Sequence, residues 1–152
     1  MSESRRLPVD LDDLCQALDD SSAEHAWYLD CETGEILLVS ELMDDVEELR
    51  ERLDAAPGRY ELVPTVGSSE GYRDMEDFIE TTEDTRLGEL LEIAIGGRGA
   101  FGRYKDVLAR FPEERQRWIR FKDDKLMKRG LEWLEEIGVE PQLRDVQATH
   151  PA

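Results

Sequence analysis

Cysteine, lysine and histidine are scarce in this chain of 152 residues, and long apolar runs are missing. Cys15 and Cys31 are the only thiols, too few for a disulfide-built scaffold. The expectation is two reduced thiols, with a Cys15–Cys31 disulfide as the alternative. No stretch approaches the roughly 20 apolar residues a membrane-spanning helix needs, which excludes an integral helical membrane protein. Met1–Arg6 is polar and no apolar segment follows it, so no secretory signal is read and a cytoplasmic location is expected. Basic residues number 19 against 37 acidic ones, a net charge of −18, which excludes an ordinary basic DNA-binding domain. His25 and His150 are the only histidines, and His-Glu-x-x-His, Cys-x-x-Cys and Gly-x-Ser-x-Gly patterns are all absent. The expectation is no cofactor.

What the chain does contain suits one folded domain. Hydrophobic residues make up 39% of it, with three Trp, four Tyr and four Phe to build a core, and the apolar positions are periodic, which argues against disorder throughout. Charge is distributed unevenly. Residues 1–97 hold 7 basic and 27 acidic side chains, a net of −20; residues 98–129 hold 11 and 5, a net of +6; residues 130–152 hold 1 and 5, a net of −4. One basic segment therefore sits in an acidic body. Lysine occurs only at 105, 122, 125 and 128. Many carboxylates with few lysines fit a protein that works in high salt, where screening removes self-repulsion; an Arg-favouring genome is the competing explanation.

The expected class is α+β: a small three-stranded sheet, hairpin plus one strand, covered by helices, with a helical C-terminal half. Val9–Asp20 reads as a helix through Leu11, Leu14, Cys15 and Leu18, with Asp10 as N-cap. The runs 26–30 and 35–39 flank a turn at Gly34 and read as a hairpin. Glu41–Ala55 carries Leu42, Val46, Leu49 and Leu53 at helical spacing. Tyr60–Pro64 reads as the third strand and Thr65–Gly71 as a loop. Helices are then expected over Tyr72–Asp84, Thr85–Ile95, Ala100–Phe111, Glu113–Phe121 and Asp123–Ile137, with Gly138 closing the last. The domain is set at residues 1–138, and 139–152 reads as a partly disordered tail.

Gly97-Arg98-Gly99-Ala100-Phe101-Gly102 spells Gly-x-Gly-x-x-Gly. A dinucleotide site requires a strand before it, and Leu87–Ile95 has helical spacing instead. No Gly-Lys-Ser or Gly-Lys-Thr follows, so no P-loop is present. Glycines ahead of a helix do leave N–H groups unpaired at the positive end of its dipole. With Arg98, Arg103, Lys105 and Arg110 nearby, Gly97 and Gly99 form a candidate anion-facing corner. The plainer alternative is that these cations pair with the protein's own carboxylates and the glycines only allow a tight helix–helix corner. Phe101, Tyr104, Phe111, Trp118 and Phe121 interleave with basic residues, as in some single-strand binders, but their helical spacing assigns most of them to the core. Asp77 and Glu80 share a helix face and are the weak candidates for a divalent cation; a solvated face is the alternative. Cys31 and His25 are the remaining thiol–base pairing.

The run 97–106, ending Arg103-Tyr104-Lys105-Asp106, resembles the signature of a bacterial group known as uncharacterised protein family 0158. So do Tyr28-Leu29-Asp30-Cys31-Glu32-Thr33-Gly34-Glu35, Met75-Glu76-Asp77-Phe78-Ile79, and the stretch from Trp118 to Trp133-Leu134. The likeness covers about residues 26–138. One departure stands out: the family usually has Arg where this chain has Gly102. The resemblance implies a compact bacterial cytoplasmic protein and no catalytic residues. Three function classes follow, in order of preference. The first is a non-enzymatic protein-interaction or regulatory domain whose anion-facing corner takes a protein partner or a phosphate-bearing ligand. The second is a nucleic-acid-associated protein, weakly binding because the acidic body repels a polyanion. The third is a divalent-metal-dependent enzyme using Asp77 and Glu80.

Overall fold

The computed structural model describes residues 5–20 and 22–142. They group into two compact units, Met1–Thr65 with Leu126–Ala152, and Val66–Lys125. The chain runs through β1 (Arg5–Leu7), α1 (Leu11–Asp19), β2 (His25–Asp30), β3 (Ile36–Ser40), α2 (Val46–Ala55), β4 (Tyr60–Leu62), α3 (Ser68–Glu80), α4 (Thr85–Ala94), α5 (Ala100–Leu108), α6 (Pro112–Glu136) and β5 (Val139–Pro141). This is an α+β protein with a three-stranded antiparallel sheet and a helical C-terminal half, as the sequence pattern indicates.

In the first unit the sheet order is β3-β2-β4. Trp27 faces Leu38 across the hairpin, and Tyr28 lies between Leu37 and Leu62. Gly34 has the positive φ expected of the turn. Asp10 caps α1, its carboxylate accepting from the Asp12 and Asp13 N–H groups at 3.0 and 3.1 Å. α2 starts at Val46 rather than Glu41, because Ser40 holds the intervening residues in a turn: its hydroxyl accepts from Leu42 N–H and its carbonyl from Met43 N–H. β1 and β5 form a separate parallel pair, Arg5 opposite Val139. Val139–Pro141, assigned from sequence to the tail, is thus paired strand; residues 143–152 lie outside the described residues. Leu14 and Leu18 of α1 lie against Gly130 of α6, where a Cβ would come within 3.1 Å of Leu14 Cδ2.

The second unit holds α3, α4, α5 and the start of α6. α3 begins at Ser68, four residues before the expected Tyr72, since the Gly67 carbonyl accepts from Gly71 N–H and closes a first turn within the Gly/Ser stretch. The core gathers Met75 and Phe78 from α3, Leu87 and Leu91 from α4, and Tyr104 and Leu108 from α5, with Trp118 and Phe121 of α6 packed against it. Edge-on ring pairs knit it: Tyr104–Trp118 at 5.0 Å, Phe78–Trp118 at 5.3 Å and Phe78–Phe121 at 5.5 Å, geometry that aromatic quadrupoles favour. α6 is one helix of 25 residues, not the two expected. The polar Lys122-Asp123-Asp124 step hid its continuity, because a helix needs apolar residues only where it is covered.

Candidate functional site

The α4–α5 corner is built by its glycines. α4 ends with Ile95 and Gly96 N–H groups bonded back to Leu91 and Ile93 carbonyls. Gly97 and Gly99 then take φ of +81° and +76°, a region costly for other residues. Gly99 is the N-cap of α5 and supplies no side-chain cap. Arg103 turns back onto this loop. Its Nε donates to the Ala94 carbonyl at 2.9 Å, one Nη to Gly96 O at 2.6 Å and the other to Arg98 O. The guanidinium therefore covers the negative C-terminal end of α4, where a cation is favoured, and satisfies carbonyls the helix leaves open.

The other candidate residues separate around this clasp. Arg98 extends from the loop between the two glycines. Lys105 lies two residues past Arg103, which is about 200° around a helix, so it sits on a different face of α5. Arg110 follows the end of α5. The side chains of Arg98, Lys105 and Arg110 have no ion-pair partner among the described residues. Gly102 is exposed, with nothing within 4 Å of an added Cβ. The glycine that departs from the resemblance therefore removes a surface cation and no packing.

Beside the corner lies a groove of about 530 Å³, which sequence reasoning missed. Ser68, Ser69, Tyr72, Arg73 and Glu76 of α3 line one side; Gly97, Gly99, Ala100 and Phe101 line the other. The Phe101 ring lies against Gly71, 3.2 Å from where a Cβ would stand, yet remains 44% exposed. Tyr104, by contrast, is 1% exposed, and its hydroxyl, without a hydrogen-bond partner among the described residues, is pushed to a raised pKa by burial. The aromatic series thus divides: Tyr104, Phe111, Trp118 and Phe121 serve the core, and Phe101 faces outward. A signal was present in the sequence, since Gly71 and Phe101 are a small–large pair, but one chain cannot show which glycine meets which ring.

Lys125 Nζ is 3.5 Å from Asp77 Oδ2, and Glu80 is exposed. Among the described residues no three His, Cys, Asp or Glu side chains gather as a metal centre would require. Arg117 stacks 4.2 Å over Phe78, donates to Glu114 at 2.6 Å and to Thr81 Oγ1 at 2.7 Å, and so ties α6 to the end of α3.

The first unit carries two clusters that the sequence did not single out. Asp30 is fully buried and paired with Arg59 through two bonds of 2.9 and 2.8 Å, while also accepting from Glu32 and Thr33 N–H groups. The Arg59 bonds hold its pKa down at about 2 against the opposing effect of burial. Asp20 accepts from Ser22 N–H, from Trp27 Nε1 at 2.7 Å and lies 2.6 Å from His25 Nδ1; these bonds, the backbone one first, lower its pKa to about 2. His25 and Trp27 reach one carboxylate because alternate residues of a strand share a face. The Cys31–His25 pairing does not form. Six residues of extended chain separate them by roughly 20 Å, and burial raises the Cys31 pKa, leaving an inert thiol.

The fold and the groove define an α+β protein with a small helical unit that carries the candidate surface. The chain belongs to the Uncharacterised protein family (UPF0158), whose model matches residues 4–149. A relative in Pseudomonas aeruginosa, the UPF0158 protein PA5073, is 31% identical over 140 residues, 92% of this chain and 90% of its own length. No solved structure matches. The family description states no activity, and among the described residues no helix is long and apolar enough to cross a membrane.

Proposed function

We propose that the protein is a non-enzymatic interaction domain of the bacterial cytoplasm, and that its contact surface is the groove between the first turns of α3 and the start of α5. The observation that carries this reading is Phe101. The 44% of Phe101 that stays exposed on the groove wall is apolar area that a covering partner would remove from water. Around it stand Arg73 and Lys105, neither with an ion-pair partner among the described residues. In this reading Arg98, which has no ion-pair partner among the described residues, is the cation of the anion-facing corner, since Arg103 donates to backbone carbonyls.

The nucleic-acid reading rests on a different observation, the exposed cations Arg110, Arg115 and Arg120. The net charge of −18 opposes a long polyanion, so contact should be weak and steeply salt-dependent. Parallel measurements separate the two. The purified chain is compared with Phe101→Ser for binding of protein ligands by interferometry and of a single-stranded oligonucleotide by anisotropy. Oligonucleotide affinity in the micromolar range or tighter, unchanged by Phe101→Ser, overturns the interaction reading.

A further inference from the structure

The structure assigns a second contact surface to the outer edge of β3, with an extended apolar segment of a partner protein that ends in lysine or arginine as its occupant. This surface shares no residue with the α3–α5 groove and stands independently of it. In the order β3-β2-β4 the strand β3 is paired on one side only. The hydrogen bonds of β2 show which groups of β3 face out. Asp30 N–H donates to the Glu35 carbonyl at 2.9 Å, whereas the Trp27 carbonyl accepts from Val63 N–H at 2.8 Å, on the side of β4. Bonded and unbonded positions alternate along an antiparallel strand, so Glu35, Leu37 and Val39 bond to β2, and Ile36, Leu38 and Ser40 turn outward. The Ser40 carbonyl accepts from Met43 N–H at 3.0 Å. Both backbone groups of Ile36 and Leu38, and the Ser40 N–H, receive no hydrogen bond from another element among the described residues.

Proteins blunt such edges with charge, proline or short length. β1 carries Arg5 and Arg6, β4 is three residues long with Pro64 two positions beyond it, and β5 contains Glu140 and Pro141. β3 has none of these devices: Ile36-Leu37-Leu38-Val39-Ser40 is five residues without charge or proline. Ile36, Leu37 and Leu38 are half-buried, and Leu42, just beyond the strand, is 77% exposed. A strand added here completes the backbone ladder and removes apolar area from water.

Charge selects the occupant. Residues 24–49 hold nine carboxylates and no lysine or arginine. Arg50 pairs with Glu41 and Glu47, Arg52 with Glu35, and Arg59 with Asp30 and Glu32. Glu24, Asp44, Asp45 and Glu48 are exposed and have no ion-pair partner among the described residues. Glu24 and Asp44 stand at the Ser40 end of the edge, because His25 pairs with Ser40 and Ser40 holds the turn that follows β3. The partner's cation therefore belongs at that end. The acidic flanks also oppose a second copy of this chain. Self-pairing centred on Leu38 sets Glu35 opposite Glu41 at both ends, and like charges facing across a ladder destabilise it.

The test is a random heptapeptide phage library panned over the immobilised full chain in 0.15 M salt. Enriched peptides are resynthesised, with and without backbone N-methylation at alternate residues. They are titrated by anisotropy against wild type, Leu38→Pro, the double variant Glu24→Gln/Asp44→Asn, and Phe101→Ser. Proline at position 38 removes an outward N–H and leaves the bonds to β2 in place. Circular dichroism checks that each variant folds, and the N-methylated peptides probe the same ladder on the unaltered protein. The expected pool joins β-branched or aromatic residues to Lys or Arg. Its binding should fall about tenfold or more in Leu38→Pro and on N-methylation. It should fall about threefold in Glu24→Gln/Asp44→Asn and be unchanged in Phe101→Ser. Peptides without a basic residue, or indifferent to Glu24→Gln/Asp44→Asn, overturn the basic partner. No enrichment, or binding that survives both Leu38→Pro and N-methylation, overturns the edge as a contact surface. Light scattering that shows a wild-type dimer, lost in Leu38→Pro, makes a second copy the occupant and overturns the partner segment.

Discussion

Arg103 shows how one side chain can be drawn away from the role its surroundings suggest. Helix start, glycines and basic neighbours all advertise a cation for an external anion, yet the Ala94 carbonyl at the end of α4 and the Gly96 and Arg98 carbonyls of the following loop lie within reach. Ordered acceptors at fixed positions outcompete water and a mobile ligand. Replacing Arg103 by Leu should therefore lower stability by about 1–3 kcal/mol, read as a drop in urea midpoint at unchanged m-value, while Lys105→Ala shifts it by less than about 0.5 kcal/mol. Equal effects would mean the clasp contributes nothing. Asp30 gives a second prediction. Its pKa of about 2 in the fold lies below the ordinary carboxylate value, so its contribution is fully present above about pH 4 and is lost as pH falls toward 2. Unfolding midpoints measured from pH 5 to pH 2 should fall, and Asp30→Asn should be less stable at pH 7 and follow pH less steeply. Asp20, lowered for a similar reason, adds to the same acid limb.

Elements reveal which parts of the architecture were legible in the chain. α1, the hairpin, β4, α4 and α5 emerge close to their observed spans, most of them beside local punctuation such as Asp10, Gly34, Pro57-Gly58 and Gly96-Gly97; the Asp84 N-cap of α4, placed by the sequence at the end of the preceding helix, is seen only in the structure. β1 and β5 were invisible. Three residues each, with Arg5, Arg6 and Glu140 among them, they owe their form to a partner 134 positions away. The positive-φ glycines of the α4–α5 corner stand in the sequence as a local Gly/Arg cluster; the groove beside it needed α3 and α5 to meet. Packing of α1 on α6 offers a sharp test. Gly130→Ala gains up to about 1 kcal/mol of helix propensity, offset by small shifts of the Leu14 and Leu18 side-chain tips, and should be nearly neutral. Gly130→Val adds two methyls at a contact already at 3.1 Å and should cost about 1–3 kcal/mol, seen as a lower melting temperature. Gly102→Arg, at an open helical position, should instead add up to about 1 kcal/mol of stability, seen as a slightly higher melting temperature.

Across the whole molecule, the acidic excess is partitioned. Val66–Lys125 holds 11 basic and 14 acidic residues, a net of −3, and the remainder holds 8 and 23, a net of −15. Self-repulsion is therefore concentrated in the unit that contains the sheet. Raising KCl from 0.05 to about 2 M should increase the melting temperature by several degrees, as screening removes that repulsion; a flat or falling curve in differential scanning fluorimetry would reject the high-salt interpretation of the composition. The partition also has an order in time. Val66–Lys125 is one uninterrupted stretch, whereas the sheet-bearing unit is assembled from two stretches on either side of it. At a ribosome adding about 5–20 residues per second, β1 is made on the order of ten seconds before the strand it pairs with. The helical unit can form from residues contiguous in sequence, whereas the unit that opens the sequence must wait for residues that lie beyond it.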